Sequence, residues 1–152
     1  MPQQEIEILL VEDDPEDLEL TLHALRAEQS CTPIIEVARD GAQALDFLFC
    51  RGAFCQRDPE KYPKLILLDL KVPKVNGLEV LRQIKSHSQT RFIPVVILTS
   101  SIQETDMVRA YEYGANSYLQ KPVDFDRFRE TIRHLGRYWL LVNQAPPRVC
   151  AE

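Results

Sequence analysis

Residues 65–69 read Leu65-Ile66-Leu67-Leu68-Asp69, an apolar run that ends abruptly in a carboxylate. Continuous apolarity, without a polar residue at every second position, is typical of a parallel strand covered on both faces. Asp69 is followed by Pro73 and by Asn76-Gly77, which are turn-forming residues. The stretch therefore predicts a buried strand whose carboxyl end brings Asp69 to an open edge of a sheet rather than into the core.

Two further runs, at residues 6–11 and 93–98, have the same character and also lead directly into polar residues. Weaker strands are predicted at residues 34–37 and 117–120, where apolar and β-branched residues occur in shorter groups. The sequence thus predicts five strands in all.

Segments with helical spacing of apolar residues separate these strands. Further helices are predicted at about residues 103 to 113 and 124 to 142. Alternating strands and helices imply right-handed βαβ units. The expected fold is α/β, a doubly wound (βα)5 arrangement with a parallel sheet of order 2-1-3-4-5. The first three helices are marked by Leu18, Leu22 and Leu25, by Ala44, Leu45 and Leu48, and by Leu78, Leu81 and Ile84.

The composition predicts one compact domain. The chain has 152 residues, of which 45% are hydrophobic and 27% charged. A net charge of −5 without a Lys/Arg-rich block argues against direct binding to nucleic acid. No apolar run approaches the roughly 20 residues that span a bilayer, and the N-terminus lacks a basic signal region. We therefore expect a cytoplasmic protein without membrane contact.

Residues 1–143 should form this domain, and residues 144–152 a flexible tail, since Pro146 and Pro147 cannot continue a helix. The stretch 51–63 is longer than a usual helix-to-strand connection, so it is either a contact loop or a tolerated insertion. No CxxC spacing indicates a zinc site, and reduced thiols are expected at the four cysteines, Cys31, Cys50, Cys55 and Cys150.

Polar side chains follow the predicted strands at their carboxyl ends, where ligands of open α/β sheets bind. Glu12 and Asp13 follow the first strand, Asp69 the third, Thr99 the fourth and Lys121 the fifth. In the order 2-1-3-4-5 the first and third strands are neighbours, so three carboxylates converge in one crevice. Such a cluster either takes up protons or recruits a cation, and we favour the cation because its oxygen ligands suit Mg²⁺.

Each of these residues also has a simpler interpretation. The acidic segment 12–17 could cap a helix, which accounts for Asp14 but not for Asp69. Lys121 could be an ordinary solvent-exposed lysine, and Thr99 could merely end its strand. Taken together, however, a metal, an ammonium and a hydroxyl around a carboxylate are what phosphoryl transfer to that carboxylate requires.

The order and placement of these motifs resemble the response-regulator receiver family over about residues 5 to 140. The resemblance implies a flavodoxin-like fold and a signalling protein of two-component systems. It implies no enzyme beyond the protein's own phosphorylation and slow dephosphorylation, and a sensor histidine kinase as phosphoryl donor. The motifs are Ile8-Leu9-Leu10-Val11-Glu12-Asp13-Asp14, Leu67-Leu68-Asp69-Leu70-Lys71-Val72-Pro73 with Asn76-Gly77, Val95-Val96-Ile97-Leu98-Thr99-Ser100, and Gly114-Ala115 with Tyr118-Leu119-Gln120-Lys121-Pro122.

The same resemblance implies a role for each site residue. Asp69 would accept the phosphoryl group from a phosphohistidine, and Lys121 would contact that group. Asp13 would bind Mg²⁺ directly and Glu12 mainly through coordinated water, with Mn²⁺ able to substitute. The backbone carbonyl of Lys71 would be the remaining protein ligand.

A conformational switch is also implied by the resemblance. Thr99 would move to hydrogen-bond the phosphoryl group, while Tyr118 would swing from an exposed to a buried rotamer; without Thr99, Tyr118 would be a partly exposed aromatic residue. Lys71 and Ser101 occupy positions that influence how fast water removes the phosphoryl group. The peptide bond before Pro122 is often cis in the family.

Within the family, the chain is similar to single-domain regulators paired with cyanobacterial and bacterial phytochrome-type histidine kinases. The features that suggest this are residues 51–63, the stretch from Lys121 to Asp126, and Tyr138-Trp139-Leu140. No output domain is expected to follow, so the output would be contact with another protein, phosphate relay or a phosphate sink.

An apolar stripe extends over about 18 residues of the last predicted helix, roughly 27 Å. A short strand covers only about 17 to 20 Å, so this helix should overshoot the sheet. Tyr138, Leu140 and Leu141 lie beside the stripe and should face water. We expect a homodimer through the fourth helix, fifth strand and fifth helix, or docking to the kinase, unless this end folds back onto its own domain. The stripe consists of Phe125, Phe128, Ile132, Leu135, Trp139 and Val142.

Three other classes of protein share parts of this pattern. A haloacid-dehalogenase-type phosphatase also uses an aspartyl phosphate, but its second Asp is replaced here by Lys71. A phosphorylation-independent binding module of pseudo-receiver type, the main alternative, would normally have lost part of the acidic pocket. A flavodoxin-like cofactor binder needs a phosphate-binding loop after the first strand, where residues 12–17 are acidic.

Overall fold

A single parallel sheet forms the centre of the molecule, for which the computed structural model describes residues 5–27, 32–121 and 124–147. Its strand order, β2-β1-β3-β4-β5, is the predicted one. β1 and β4 each begin two residues later than predicted; before β4, Pro94 lacks an N–H group and contributes only its carbonyl, which accepts from the amide of Ile66. The strands are β1 (Ile8–Val11), β2 (Ile35–Ala38), β3 (Leu65–Leu68), β4 (Val95–Thr99) and β5 (Ser117–Gln120).

Five α-helices flank the sheet, so the (βα)5 prediction is confirmed. Four of them begin at an Asp or Asn whose side chain accepts hydrogen bonds from first-turn amides, namely Asp14, Asp40, Asn76 and Asp124. These caps fix where each helix starts relative to the preceding strand. The helices are α1 (Pro15–Arg26), α2 (Gly41–Leu48), α3 (Gly77–Ser86), α4 (Glu104–Glu112) and α5 (Phe125–Arg137).

Two hydrophobic cores lie on opposite faces of the sheet. Alternate residues of β1 separate between them: Leu9 and Val11 face α2 and α3, while Ile8 and Leu10 face α1 and α5. β3 divides in the same way. Because both faces of the central strands are covered, all four residues of β1 and of β3 are buried. This explains why their sequences are continuously apolar.

The C-terminal segment departs from the predicted single helix. After α5 the chain forms a π-helical turn (Tyr138–Val142), in which the amide of Asn143 donates to the carbonyl of Tyr138 at 2.7 Å. The extra residue in this turn shifts the helical phase. Val142 is therefore 58% exposed, although regular spacing placed it on the inner stripe, and Leu140, which was expected to face water, is half-buried.

The stretch 51–63 is anchored to its own domain. It contains a 3₁₀ turn (Gly52–Phe54), and the guanidinium of Arg57 lies 4.4 Å from the centroid of the Phe47 ring and donates to the Phe47 carbonyl at 2.9 Å. Because it leads into the amino end of β3, this loop lies at the edge of the sheet opposite Asp69. Whether it also contacts a partner stays a prediction.

Residues 144–147 are exposed and have no regular secondary structure, and the rest of the predicted tail lies outside the described residues. Cys50 and Cys55 are free thiols, whereas Cys31, Cys150 and the peptide bond before Pro122 also lie outside the described residues. Within the described part of the chain, no helix combines the length and apolarity that crossing a membrane requires.

Candidate functional site

Glu12 and Asp69 are brought together by the pairing of β1 with β3. Val11 is in register with Leu68, and the amide of Asp69 donates to the carbonyl of Val11 at 3.1 Å. The next residue of each strand therefore reaches the same edge of the sheet. Both side chains are buried, with 3% of Glu12 and 7% of Asp69 exposed.

Three carboxylates form a cluster at this edge. Glu12, Asp13 and Asp69 each offer an oxygen atom, and these oxygens all lie within 4.8 Å of one another. Asp13 is exposed, so the cluster opens to solvent on one side. A set of hard oxygen donors that is buried on one side and open to water on the other fits Mg²⁺ or Mn²⁺, which keep several water ligands.

The two buried carboxyl groups differ in their pKa values. Burial, followed by the hydrogen bond and the negative charge of Asp69, raises the pKa of Glu12 to about 8. Burial alone would also raise the pKa of Asp69. Its hydrogen bonds with Glu12 and the Lys71 amide, together with the charge of Lys121, instead hold that pKa below its ordinary value. Without a metal, Glu12 thus holds the proton near neutral pH and Asp69 carries the charge.

Lys121 lies over this cluster. Its ammonium is 3.0 Å from Asp69 Oδ2, 3.0 and 3.1 Å from the two carboxylate oxygens of Glu12, and 2.8 Å from Asp17 Oδ2. Only 9% of the side chain is exposed, so it is not the solvent-facing lysine of the simpler interpretation. Although burial alone would lower the pKa of Lys121, the Asp17, Asp69 and Glu12 carboxylates raise it above its ordinary value.

The sequence reasoning did not single out Asp17. It assigned the acidic segment 12–17 to the start of a helix, and Asp14 does cap α1 by accepting from the amides of Glu16 and Asp17. A signal was present in the helical phase. Asp17 lies four residues before Thr21, which is buried on the inner face of α1, and the Thr21 hydroxyl donates to the Asp17 carbonyl at 2.8 Å.

The loop from Asp69 to α3 is held by two close approaches that require glycine. A Cβ atom at Gly77 would lie 2.4 Å from the carbonyl oxygen of Asp69, and one at Gly41 would lie 1.8 Å from that of Val75. The loop also returns to the site, since the amide of Lys71 donates to Asp69 Oδ1 at 3.1 Å. Gly41 was not identified from the sequence because its neighbour is distant along the chain.

Thr99 and Tyr118 meet at Ser101. Thr99 is buried, and its hydroxyl oxygen accepts from the Ser101 amide at 3.2 Å. The phenol of Tyr118, which is half-buried against the core, donates to the Ser101 carbonyl at 3.4 Å. The hydroxyl of Ser101 donates in turn to Asp106 in α4 at 2.6 Å. One loop therefore joins the end of β4, the side chain of Tyr118 and the first turn of α4.

A family model for the response regulator receiver domain matches residues 8–133. The chain therefore belongs to the response-regulator receiver family of two-component signalling.

Two curated relatives show how similar the chain is to individual members. The probable methanogenesis regulatory protein FilR2 of Methanothrix harundinacea is 42% identical over 139 residues, which cover 91% of this chain and 86% of the relative. The response regulator Rcp1 of Synechocystis is 38% identical over 133 residues, 88% of each protein.

The solved structures that this chain resembles include phytochrome response regulators. The phosphorylated cyanobacterial phytochrome response regulator RcpA superposes with a TM-score of 0.86 at 33% identity, covering 95% of this chain and 100% of that one. The Mn²⁺-bound form of Rcp1 gives a TM-score of 0.85 at 34% identity, with coverage of 95% and 100%. The bacteriophytochrome response regulator RtBRR is 53% identical, with a TM-score of 0.74 and coverage of 95% and 86%.

Proposed function

We propose that the protein accepts a phosphoryl group on Asp69 from the phosphohistidine of a sensor histidine kinase, in a reaction that depends on Mg²⁺. The observation that carries this proposal is the arrangement around Asp69. Its carboxylate adjoins Glu12 and Asp13, and Lys121 Nζ lies 3.0 Å from its Oδ2 atom. A nucleophilic carboxylate beside a cation site and an ammonium is suited to phosphoryl transfer.

In the proposed reaction, an oxygen of Asp69 bonds to phosphorus while the phosphorus–nitrogen bond of the phosphohistidine breaks. The imidazole leaves with the bonding electron pair and is protonated. The lowered pKa of Asp69 keeps the nucleophile ionised. Asp13 would hold Mg²⁺ directly and Glu12 mainly through water, with the Lys71 carbonyl as the remaining protein ligand. The metal would neutralise charge on the phosphoryl oxygens, and Lys121 would stabilise the same charge.

The proposed switch uses the loop around Ser101. If the Thr99 hydroxyl turns toward a phosphoryl group on Asp69, the Ser101 amide loses its present acceptor. The same residue holds the phenol of Tyr118 and the carboxylate of Asp106. Movement of Thr99 would thus be passed to Tyr118 and α4 through Ser101.

Two of the alternatives find less support in this site. A haloacid-dehalogenase-type phosphatase needs a general acid two residues after the nucleophile, where this chain has Lys71. A pseudo-receiver binding module has no need of an intact pocket. Here Glu12, Asp13 and Lys121 are present and lie around Asp69.

Intact mass after incubation with acetyl phosphate tests the proposal. We expect a gain of one phosphoryl group, about 80 Da, only in the presence of Mg²⁺ and only while Asp69 is present. Asp69→Asn should show no adduct, whereas Asp126→Asn, at a residue whose side chain is 85% exposed, should behave as wild type. A folded wild type that gains no mass at any time point would favour the pseudo-receiver alternative.

A phytochrome-type histidine kinase is the donor we propose, supported by the similarity to RcpA, Rcp1 and RtBRR. Phosphotransfer to this protein from such a kinase should be faster than from a histidine kinase of another sensor class. Equal rates from both would contradict the assignment. A cytoplasmic location belongs to the same proposal, and cell fractionation tests it.

We further propose that residues 1–143 act as the receiver domain, with 144–152 as a tail, and that two copies associate through α4, β5, α5 and the C-terminal turn. Large apolar side chains support this because they are exposed on α4, at the start of α5 and on the C-terminal turn. Sedimentation of wild type and a truncation at Arg137 tests it, since only the longer chain should dimerise. Monomers in both would exclude this dimer. The exposed residues are Met107, Val108, Tyr111, Phe125, Tyr138, Leu141 and Val142.

A further inference from the structure

The ammonium of Lys121 has three N–H groups and three carboxylate partners. These partners are Glu12, Asp17 and Asp69, and the shortest of the contacts is the one to Asp17, at 2.8 Å. All three donors are thus occupied in a side chain that is 9% exposed. A group added to Asp69 must therefore compete with at least one of these partners for a donor.

Asp17 differs from the other two partners in its surroundings. Glu12 and Asp69 belong to the cluster whose oxygens lie within 4.8 Å of one another and of Asp13, whereas Asp17 does not. A cation in that cluster would draw on the oxygens of Glu12 and Asp69. Asp17 is then the carboxylate that can keep its contact with Lys121 through the whole reaction.

The start of α1 fixes the position of Asp17. The cap by Asp14 and the proline at the first helical position determine where the helix begins. Leu18, the next residue, is buried in the core between the sheet and α1 and α5, and the hydroxyl of Thr21 donates to the Asp17 carbonyl. The Asp17 carboxylate thus projects from a rigid first turn, although 35% of this side chain is exposed.

We propose that Asp17 is a positioning residue, which holds the ammonium of Lys121 where it meets the phosphoryl group on Asp69. The inference rests on the proposed function. Pre-organised catalytic groups are commonly fixed by hydrogen bonds from residues that do not touch the substrate. If Asp17 acted only through its charge, its replacement would have the opposite effect on binding. Removing a negative charge near the incoming phosphoryl anion would strengthen the binding of that anion.

Binding of beryllium trifluoride, a mimic of the phosphoryl group, separates these roles. Fluorine NMR in the presence of Mg²⁺ measures this binding. We expect Asp17→Asn to bind the mimic roughly ten-fold more weakly than wild type does. Glu16→Gln is the matched control, since it removes the same charge from the same turn at an exposed side chain and should leave binding unchanged. Unchanged or tighter binding in Asp17→Asn would overturn the inference.

The side-chain NMR signal of Lys121 tests the contact without metal or phosphoryl group. The signal, assigned by its loss in Lys121→Arg, should be sharp in wild type because the ammonium is buried and fully bonded. It should broaden in Asp17→Asn but not in Glu16→Gln. Lys85, whose ammonium donates to two carbonyls and to Asn116, provides an internal reference.

The two readouts distinguish the inference from the proposed function. If wild type does not bind the mimic, the phosphoacceptor proposal fails. The Lys121 signal then still tests whether Asp17 holds the ammonium. A signal that stays sharp in Asp17→Asn would show that the ammonium is held without the negative charge of Asp17, and the positioning role of this carboxylate would be rejected.

Discussion

At the scale of the residue, the difference between Glu12 and Asp69 determines the state of the metal-free site. The pKa of Glu12 is raised to about 8 by burial and by Asp69, while that of Asp69 is lowered. Two neighbouring buried carboxylates repel each other even beside Lys121, so near neutral pH the metal-free site keeps one proton. A divalent ion would displace that proton by supplying positive charge of its own.

The stability of the metal-free protein should therefore depend on pH through Glu12. The folded-state pKa of about 8 exceeds the ordinary value of 4.5, so the folded state binds more protons between these values. The contribution of Glu12 to the unfolding free energy should be fully present below about pH 4.5 and should be lost as the pH rises through 8. Urea unfolding with a chelator present should show a loss of up to about 1.4 kcal/mol per pH unit within this window.

Glu12→Gln is the control for this prediction, because glutamine keeps the shape of the protonated acid and does not titrate. Its unfolding free energy should lack the decline between pH 5 and 8, and Mg²⁺ should reduce the decline in wild type. Equal slopes in wild type and Glu12→Gln would show that another group titrates.

At the scale of the element, the end of α2 carries a local strain. Arg51 donates its amide to the carbonyl of Asp46 at 2.8 Å and Cys50 to that of Phe47 at 3.4 Å, which is the Schellman arrangement. In this arrangement the residue before Arg51 must adopt the left-handed backbone conformation. That residue is Cys50, whose φ is 54°. Glycine is the usual residue at this position because it has no Cβ atom.

Cys50→Gly should stabilise the protein by about 1 kcal/mol, since it removes the left-handed strain of a residue with a side chain. Urea denaturation gives the change in unfolding free energy. Cys55→Gly is a matched control at a φ of −64°, where the same replacement should destabilise by about 0.5 to 1 kcal/mol. A loss of stability in both variants would contradict the prediction.

The elements also show how far local patterns reach. β3 is present with the predicted bounds. Both faces of the sheet are covered at this strand, so all four of its residues are buried and must be apolar. The regular spacing of the last helix was extrapolated beyond Arg137 and was wrong there. Trp139 packs against the core beside α1 and α5, as the stripe predicted, but the π-helical turn changes the phase, so that Leu140 also packs there and Val142 is exposed.

At the scale of the whole molecule, the site links the two faces of the sheet. Glu12 and Asp69 follow the central strands β1 and β3, Asp17 belongs to α1 on one face, and the loop held by Gly41 adjoins α2 on the other. A ligand that binds only this folded arrangement must stabilise the entire domain.

Mg²⁺ should therefore raise the unfolding free energy by mass action, by about 2.7 kcal/mol at one hundred times its dissociation constant. Thermal unfolding at increasing Mg²⁺ concentrations measures this effect. Asp13→Asn should remove most of it while leaving the metal-free protein unchanged or slightly more stable, since Asp13 is exposed and adjoins two other carboxyl groups. Equal stabilisation of the variant would place the ion elsewhere.

The sequence by itself determined the elements, their order and the residues at the strand ends, because strand and helix periodicities are local and the carboxyl ends of parallel strands share one edge. Only the tertiary structure decided which of these residues touch. Lys121 and Asp17 are 104 positions apart, and Gly41 meets Val75 across two elements. Such contacts, and the pKa values that burial imposes on Glu12 and Asp69, depend on how the strands and helices pack. No local pattern carries that information.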